Sequence, residues 1–324
     1  MNYLKIVILD GYALNPGDLD WDPVKKIGEC KIYDRTPDDD EQEILQRIGD
    51  APIVLTNKTP LTQAVLTAAP NIEYVGVLAT GYNVVDVTAA TKAGITVTNI
   101  PAYGTNAVAQ FTFALLLEIT SHVGLHNQLV HAGKWSSNPD FTFWAKPLME
   151  LKGKTLGLVG FGRIAHKVAD IGHSFGMDVI YYNHRPKPAE KTWLKQVSLD
   201  ELFQRSDVIS LHVPQTPETT TMIDKSSINK MKDGVILLNT ARGGLLNEGD
   251  VARALTTGKI SAAAVDVATH EPIEETSPLL TAQNCYITPH IAWAPLETRK
   301  RLLDIAVDNL IGFLSGKKKN VAHG

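Results

Sequence analysis

The chain is poor in cysteine: two in 324 residues, Cys30 and Cys285, far apart and outside any CxxC pair. That excludes a disulfide-stapled scaffold and the common zinc spacings, and it fits free thiols in a reducing, cytoplasmic setting. Long apolar runs are also missing. The longest, around Phe111 to Leu117, is too short to span a bilayer and is followed at once by Glu118. The N-terminal MNYLKIVILDGY has no basic segment and no cleavage-like site, and reads as a short strand entering a turn. Positive charge is not in excess. Asp plus Glu number 35 against 31 for Lys plus Arg, a formal net charge of −4 with pI near 6.2. Without a global basic field, nucleic acid and anionic membrane are not expected partners, and any anion must be met locally. The basic run at Lys317 to Lys319 reads as a solvated tail.

What is present is an ordinary globular composition, 44% hydrophobic and 20% charged. At roughly 150 residues per domain this length fits two domains, each large enough for a core. Apolar runs that read as buried parallel strands alternate with helical periods. The first series is LKIVILD, PIVLTN (52–57), IEYVGVLAT (72–80) and ITVTNI (95–100), separated by EQEILQRIGD, LTQAVLTAA and VDVTAATKAG. A second series of six runs from TLGLVG (155–160) through MDVIYYN, SDVISLHV, GVILLNT and ISAAAVDV to NCYITPH (284–290). Six strands with intervening helices match a doubly wound dinucleotide-binding sheet, whose ligands lie at the carboxyl ends of the strands. A long helix is expected from about Asn106 to His131, and an amphipathic one, LETRKRLLDIAVDNLIGFLSG, follows the last strand.

Immediately after TLGLV comes GFGRIA, residues 160–165. Gly160 permits a tight turn, Gly162 lets backbone approach a pyrophosphate, and Ala165 allows close helix packing, with the helix N-terminus offering N–H donors. The alternative is a strand–helix turn shaped by glycines and nothing more. Some twenty residues on, where such sites place an acid on the ribose, the chain has Asn183, His184 and Arg185. An amide can bond a ribose hydroxyl, and the two basic side chains can meet a 2′-phosphate, unless NHRPKP is only a polar loop. Arg242 in NTARGG, Glu271 in HEP and His290 in TPHIAW all follow later strands. A fixed cation, a carboxylate and an imidazole suffice to hold a carboxylate, polarise a carbonyl and move one proton. Taken singly, each is more simply a structural residue. Glu118, His122 and His126 fall at i, i+4 and i+8, a line that can present metal ligands but reads more simply as a polar stripe, so no metal is expected.

In this order and near these spacings, GFGRIA, NTARGG, VDV with HEP, and TPHIAW resemble the D-isomer-specific 2-hydroxyacid dehydrogenases. LTNKTPLT and GVLATGYNVVDV look closest to the glycerate dehydrogenase or hydroxypyruvate reductase branch. The resemblance implies an α/β fold in which a Rossmann NAD(P)-binding domain, residues 101–290, is inserted into a smaller flavodoxin-like catalytic domain, residues 1–100 plus 291–324. It also implies an active site in the cleft between them and a homodimer formed through the inserted domain. Arg242 would bind substrate carboxylate and carbonyl, His290 would be the acid–base residue and Glu271 its partner. Asp266 would contact the nicotinamide carboxamide, and Thr240 and Ala241 would line the cofactor. Arg163 and Ile164 would lie over the pyrophosphate, and His212, Val213 and Pro214 at the adenosine side. Backbone N–H groups of Ala79, Thr80 and Gly81 would meet the substrate carboxylate alongside Arg242 and His290.

The implied activity is reversible NAD(P)H-dependent reduction of small 2-oxo acids, hydroxypyruvate and glyoxylate foremost, to D-2-hydroxy acids. Asn183 in place of the family's acid implies that NADPH is accepted at least as well as NADH. A phosphoglycerate dehydrogenase-like enzyme is the alternative, in which Lys58 would meet the phosphate; it is disfavoured because no regulatory domain follows the last helix. A formate dehydrogenase would pair its histidine with glutamine, against Glu271. The rival of another kind is a nucleotide-sensing corepressor-like protein of the same fold.

Overall fold

The computed structural model describes residues 4–186 and 191–322. It divides into two compact units, residues 1–104 with 294–324, and residues 105–293. The first unit is an α/β layer built on five parallel strands: β1 (Lys5–Ile8), β2 (Glu29–Ile32), β3 (Ile53–Thr56), β4 (Tyr74–Val77) and β5 (Thr96–Thr98). Their order is β2-β1-β3-β4-β5, the flavodoxin-like arrangement. Between them run α1 (Asp22–Lys25), α2 (Glu41–Ile48), α3 (Gln63–Ala68) and α4 (Val87–Lys92), the last three started by Asp40, Thr62 and Asp86 as side-chain N-caps. β3 and β4 are buried at every position, which is why they read as unbroken apolar runs.

β2 was not legible as a strand. It is an edge strand with alternating exposed and half-buried residues, so ECKI carries no apolar run. The C-terminal helix, Leu296–Leu314, also belongs to this unit. Its buried Arg299 donates to both oxygens of Asp18 at 2.7 and 2.6 Å and to the Leu14 carbonyl at 2.9 Å.

The second unit opens with α5 (Thr105–Ser121) and α6 (Val123–His131). These replace the single helix expected over this stretch, because His122 sits at φ +49° and the two axes meet at 56°. No single helix among the described residues is long and apolar enough to cross a membrane. Then come β6 (Thr155–Val159), α7 (Arg163–Ser174), β7 (Asp178–Tyr182), β8 (Leu194–Gln196), α8 (Leu199–Arg205), β9 (Val208–Leu211), α9 (Lys225–Lys230), β10 (Val235–Asn239), α10 (Glu248–Thr257), β11 (Ile260–Val265) and β12 (Cys285–Ile287). All pair in parallel in the order β12-β11-β10-β9-β6-β7-β8. This is the doubly wound Rossmann sheet, with seven strands where six were expected. The added one, β8, is a three-residue edge strand, LKQ, too short and polar to show a period.

Two cores flank this sheet. One packs α5 and α7 around Phe113, Leu116, Leu156, Leu158 and Val168, and the other packs α8, α9 and α10 around Val159, Phe203, Ile209, Leu237 and Val251. Burial on both faces leaves the strand ends as the place where polar side chains can gather. The carboxyl edge carries them, on the loops after β6, β7, β9, β10, β11 and β12.

Candidate active site

The glycine turn begins the site. Gly160 holds φ +89°, and a Cβ there would lie 2.7 Å from the carbonyl oxygen of His212, so the turn after β6 closes against the end of β9 only with glycine. Phe161 tucks beneath, stacked on Tyr181 at 3.9 Å and against His166 at 4.0 Å. Gly162 is the N-cap of α7, and nothing lies within 4 Å of where its Cβ would be. The open space above Gly162, with the first N–H groups of a twelve-residue helix turned toward it, fits a pyrophosphate. Ala165 is fully buried, the close packing that its small size permits, while Arg163 is exposed and Ile164 half-buried.

At the end of β7 the Asn183 amide is a two-way tie. Its oxygen accepts from the Phe161 N–H at 3.2 Å, and its nitrogen donates to the Arg185 carbonyl at 2.8 Å. The glycine turn and the turn after β7 are thus joined through one side chain. His184 and Arg185 are exposed; Lys187 and Pro188 of the same loop lie outside the described residues. After β9, His212 bonds Ser210 at 2.9 Å through Nε2, and burial lowers its pKa to about 4, so the imidazole is neutral. Val213 is half-buried and Pro214 exposed.

The other half of the edge is held by side chains. Buried Asn239, the last residue of β10, accepts from the Ala241 N–H at 3.0 Å and donates to the Arg242 carbonyl at 2.8 Å, fixing the turn that carries Arg242. Thr240 bonds Thr112 of α5 at 3.0 Å. The exposed Arg242 donates from Nη1 to the Ala241 carbonyl at 2.7 Å. A Cβ on Gly243 would overlap the Ala268 carbonyl, so this turn lies directly on the backbone leading to Glu271. Glu271 accepts from the Ala268 N–H at 3.2 Å and from His290 Nδ1 at 2.7 Å. A carboxylate only accepts, so Nδ1 carries the proton in this bond and Nε2 lies outside it. His290 has φ +55°, and the loop around it is clamped by Asp266. The Asp266 carboxylate accepts from the Thr288 hydroxyl at 2.6 Å, the Ile291 N–H at 2.9 Å and the Ala292 N–H at 2.8 Å. Burial raises the Asp266 carboxyl above its ordinary range, against the opposing pull of those three donors.

Arg242, Glu271 and His290 are therefore three loops of one sheet edge in one unit. Ala79, Thr80 and Gly81 belong to the first unit, after β4. Thr80 Oγ donates to the Ile100 carbonyl at 2.7 Å and the Thr80 carbonyl accepts from Asn99 at 2.7 Å, while the Thr80 and Gly81 N–H groups donate to no protein group among the described residues. The Glu118, His122, His126 line does not lie on one helix. Glu118 accepts from the Gly124 N–H at 3.1 Å at the start of α6, and both His126 nitrogens are engaged, by the His122 carbonyl at 2.8 Å and the Ala145 N–H at 3.1 Å. Reading the sequence missed Asn239 and Glu248, whose only local signal is a polar residue at a strand end and an acid at a helix start.

Residues 113–292 match the family described as D-isomer specific 2-hydroxyacid dehydrogenase, NAD binding domain. The chain belongs to that family. A hydroxypyruvate reductase of Blautia hydrogenotrophica is 56% identical over 321 residues, covering 99% of this chain and 100% of the relative. A glycerate dehydrogenase of Methylorubrum extorquens is 36% identical over 282 residues, covering 86% and 88%. Among solved structures, an acyclic imino acid reductase in complex with NADPH and D-Arg superposes with TM-score 0.85 at 28% identity, covering 98% and 100%. The D-lactate dehydrogenase of Aquifex aeolicus, complexed with NAD and lactic acid, gives 0.82 at 29%, covering 99% of each chain. The chain is thus an oxidoreductase with a nicotinamide dinucleotide site.

Proposed function

We propose that this chain reduces small 2-oxo acids, hydroxypyruvate and glyoxylate foremost, to D-2-hydroxy acids, reversibly and with either NADH or NADPH. The observation that carries the reading is the 2.7 Å bond between His290 Nδ1 and Glu271 on the sheet edge that also holds Arg242. A bound dinucleotide supplies the hydride chemistry. Arg242 presents a planar fork of donors that grips a carboxylate and the adjoining carbonyl together and draws electron density toward the carbonyl oxygen. His290 gives the Nε2 proton to that oxygen in reduction and takes it back in oxidation, while Glu271 keeps the ring in one tautomer and one orientation. Asp266 holds the histidine loop, and with three donors on a carboxylate that can accept about four, one acceptor site remains for a carboxamide. The Thr80 and Gly81 amides are assigned to the substrate carboxylate, with Ala79 in the same turn. Dinucleotide contacts are assigned to Gly160, Gly162, Arg163 and Ile164 at the phosphates, to His212, Val213 and Pro214 at the adenosine, and to Thr240 and Ala241 beside the nicotinamide.

NADPH is accepted at least as well as NADH on this reading, because Asn183 removes the anion that would repel a 2′-phosphate and Arg185 and His184 are exposed beside it. A spectrophotometric panel of 2-oxo acids with both cofactors tests the proposal. Turnover of hydroxypyruvate or glyoxylate supports it; a phosphorylated substrate alone turning over gives the phosphoglycerate-type enzyme, and dinucleotide binding with no turnover gives a nucleotide sensor.

The working form is proposed to be a homodimer built through the second unit. Val123, Trp135, Phe141, Trp144 and Leu148 are exposed by 64, 53, 89, 66 and 58%, a concentration of large apolar side chains within one short stretch. Light scattering of the native protein reads the mass directly, and Phe141→Asp is expected to shift it to the monomer. The two thiols, both free, suit a reducing cytoplasm.

A further inference from the structure

We propose that Glu248 is a positioning residue for the acid–base pair, holding the two ends of the loop that aims Glu271 at His290. The proposal rests on the catalytic reading above and adds a residue that touches neither substrate nor dinucleotide. Glu248 is the first residue of α10, where the helix N-terminus favours a carboxylate. One of its oxygens accepts from the Thr269 N–H at 2.9 Å and the other from the Ser277 hydroxyl at 2.6 Å. Burial pushes the Glu248 carboxyl up, but the bonds from Ser277 and Thr269 together hold it below the ordinary value, so it is ionised wherever the enzyme is folded near neutrality.

Those two bonds bracket Glu271. Residues 269–276 form no helix or strand and are mostly exposed, so little apolar burial orders them. Ser277 and Leu279, by contrast, are buried, at 8% and 1%. Glu248 therefore fastens the near end of the loop at Thr269, two residues before Glu271, and the far end where the chain re-enters the core. A carboxylate held by a loose loop would sample many positions, and a proton-transfer geometry displaced by about 1 Å costs on the order of 100-fold. Pinning from α10 removes that freedom without placing a further charge on the reacting groups.

The test compares Glu248→Ala, Glu248→Gln and Ser277→Ala in the intact enzyme. In Glu248→Ala, kcat for reduction should fall about 10–100-fold. Dinucleotide KM should be unchanged, and the solvent deuterium isotope effect on kcat should rise as proton transfer becomes limiting. Glu248→Gln should recover most of kcat, since its amide oxygen can accept from Thr269 while its N–H group donates to the Ser277 oxygen. Ser277→Ala, which keeps the Thr269 bond, should fall between. Independently of turnover, the downfield Nδ1–H proton resonance of His290 in the free enzyme should be lost in the alanine variant and kept in the glutamine one. A Glu248→Ala enzyme with lower Tm but wild-type kcat per folded molecule, isotope effect and resonance would overturn the proposal. If wild type turned over no 2-oxo acid, the catalytic reading would fail, while the resonance would still decide whether Glu248 orders the pair.

Discussion

The two halves of the second unit's sheet edge do their work with different materials. Around β6, β7 and β9 the site is chiefly backbone: a glycine turn, a helix N-terminus, a carbonyl packed against Gly160, with the Asn183 side chain as a tie to the next turn. Around β10, β11 and β12 it is side chains carried on turns whose main chain other side chains hold: Asn239 on the Arg242 turn, Asp266 on the His290 loop, Glu248 on the Glu271 loop. Phosphates carry several diffuse acceptor oxygens, which an array of N–H groups satisfies over a range of positions. A proton moves only along one short line between two atoms, so the acid–base role proposed for the other half needs each side chain fixed by more than its own rotamer.

That contrast can be broken most sharply at His290. His290→Ala should lower kcat in both directions by roughly 10²–10⁴-fold while dinucleotide affinity, measured by fluorescence titration, stays at the wild-type value. Parallel loss of binding and turnover would mean that the two halves are one cooperative device. A smaller effect is expected from Arg242→Lys, where the cation stays but the fork does not. kcat/KM for the oxo acid should drop by about two orders of magnitude, again with cofactor affinity retained, and near-normal turnover would remove Arg242 from the mechanism.

On the backbone half, Asn183→Asp should shift preference toward NADH by about 1–3 kcal/mol, read as the ratio of kcat/KM for the two cofactors. The tie to the Arg185 carbonyl requires an N–H donor. The aspartate variant therefore should also weaken binding of both dinucleotides, and Asn183→Ser, which removes the tie without adding charge, separates the two effects.

The smallest expected change is in stability against pH. His212 is neutral in the fold, with a pKa of about 4 set by burial, against about 6.5 for an unfolded histidine. The unfolded chain thus binds more protons between those values, and the His212 contribution to stability is lost as pH falls through that window. Denaturant unfolding of wild type and His212→Asn at pH 7 and pH 5 measures it, and wild type should lose the more stability on acidification.

How much of this could be read in advance follows the same division. GFGRIA announces itself because each glycine answers a local requirement: one turn at positive φ, one approach without a Cβ. The buried strands were equally plain, since β3, β4 and β10 are apolar at nearly every position. Edge strands β2 and β8 were invisible because a strand paired on one side and half-exposed needs no apolar run. The break at His122 was hidden for another reason. Its main chain bonds Glu118 and its ring bonds Tyr286, 164 residues away, so the left-handed residue is stabilised by a contact with no trace in helical periodicity.

The amino-acid sequence by itself determined the strand and helix periods, the glycine turn, and the residue types Arg242, Glu271 and His290 at the carboxyl ends of later strands. These are consequences of local geometry and of burial, which repeat every two or 3.6 residues and therefore leave a pattern along the chain. The pairing of Glu271 with His290 across nineteen positions came from the sequence only through the family resemblance, with no period to announce it, and the fold supplies the 2.7 Å bond itself. The tertiary structure alone decided that Asp266 serves the histidine loop and that Glu248 reaches across twenty-one and twenty-nine positions to Thr269 and Ser277. A hydrogen bond is sensitive to tenths of an ångström in space and indifferent to separation in sequence, so only the folded sheet edge could select which acids hold the Glu271 and His290 loops.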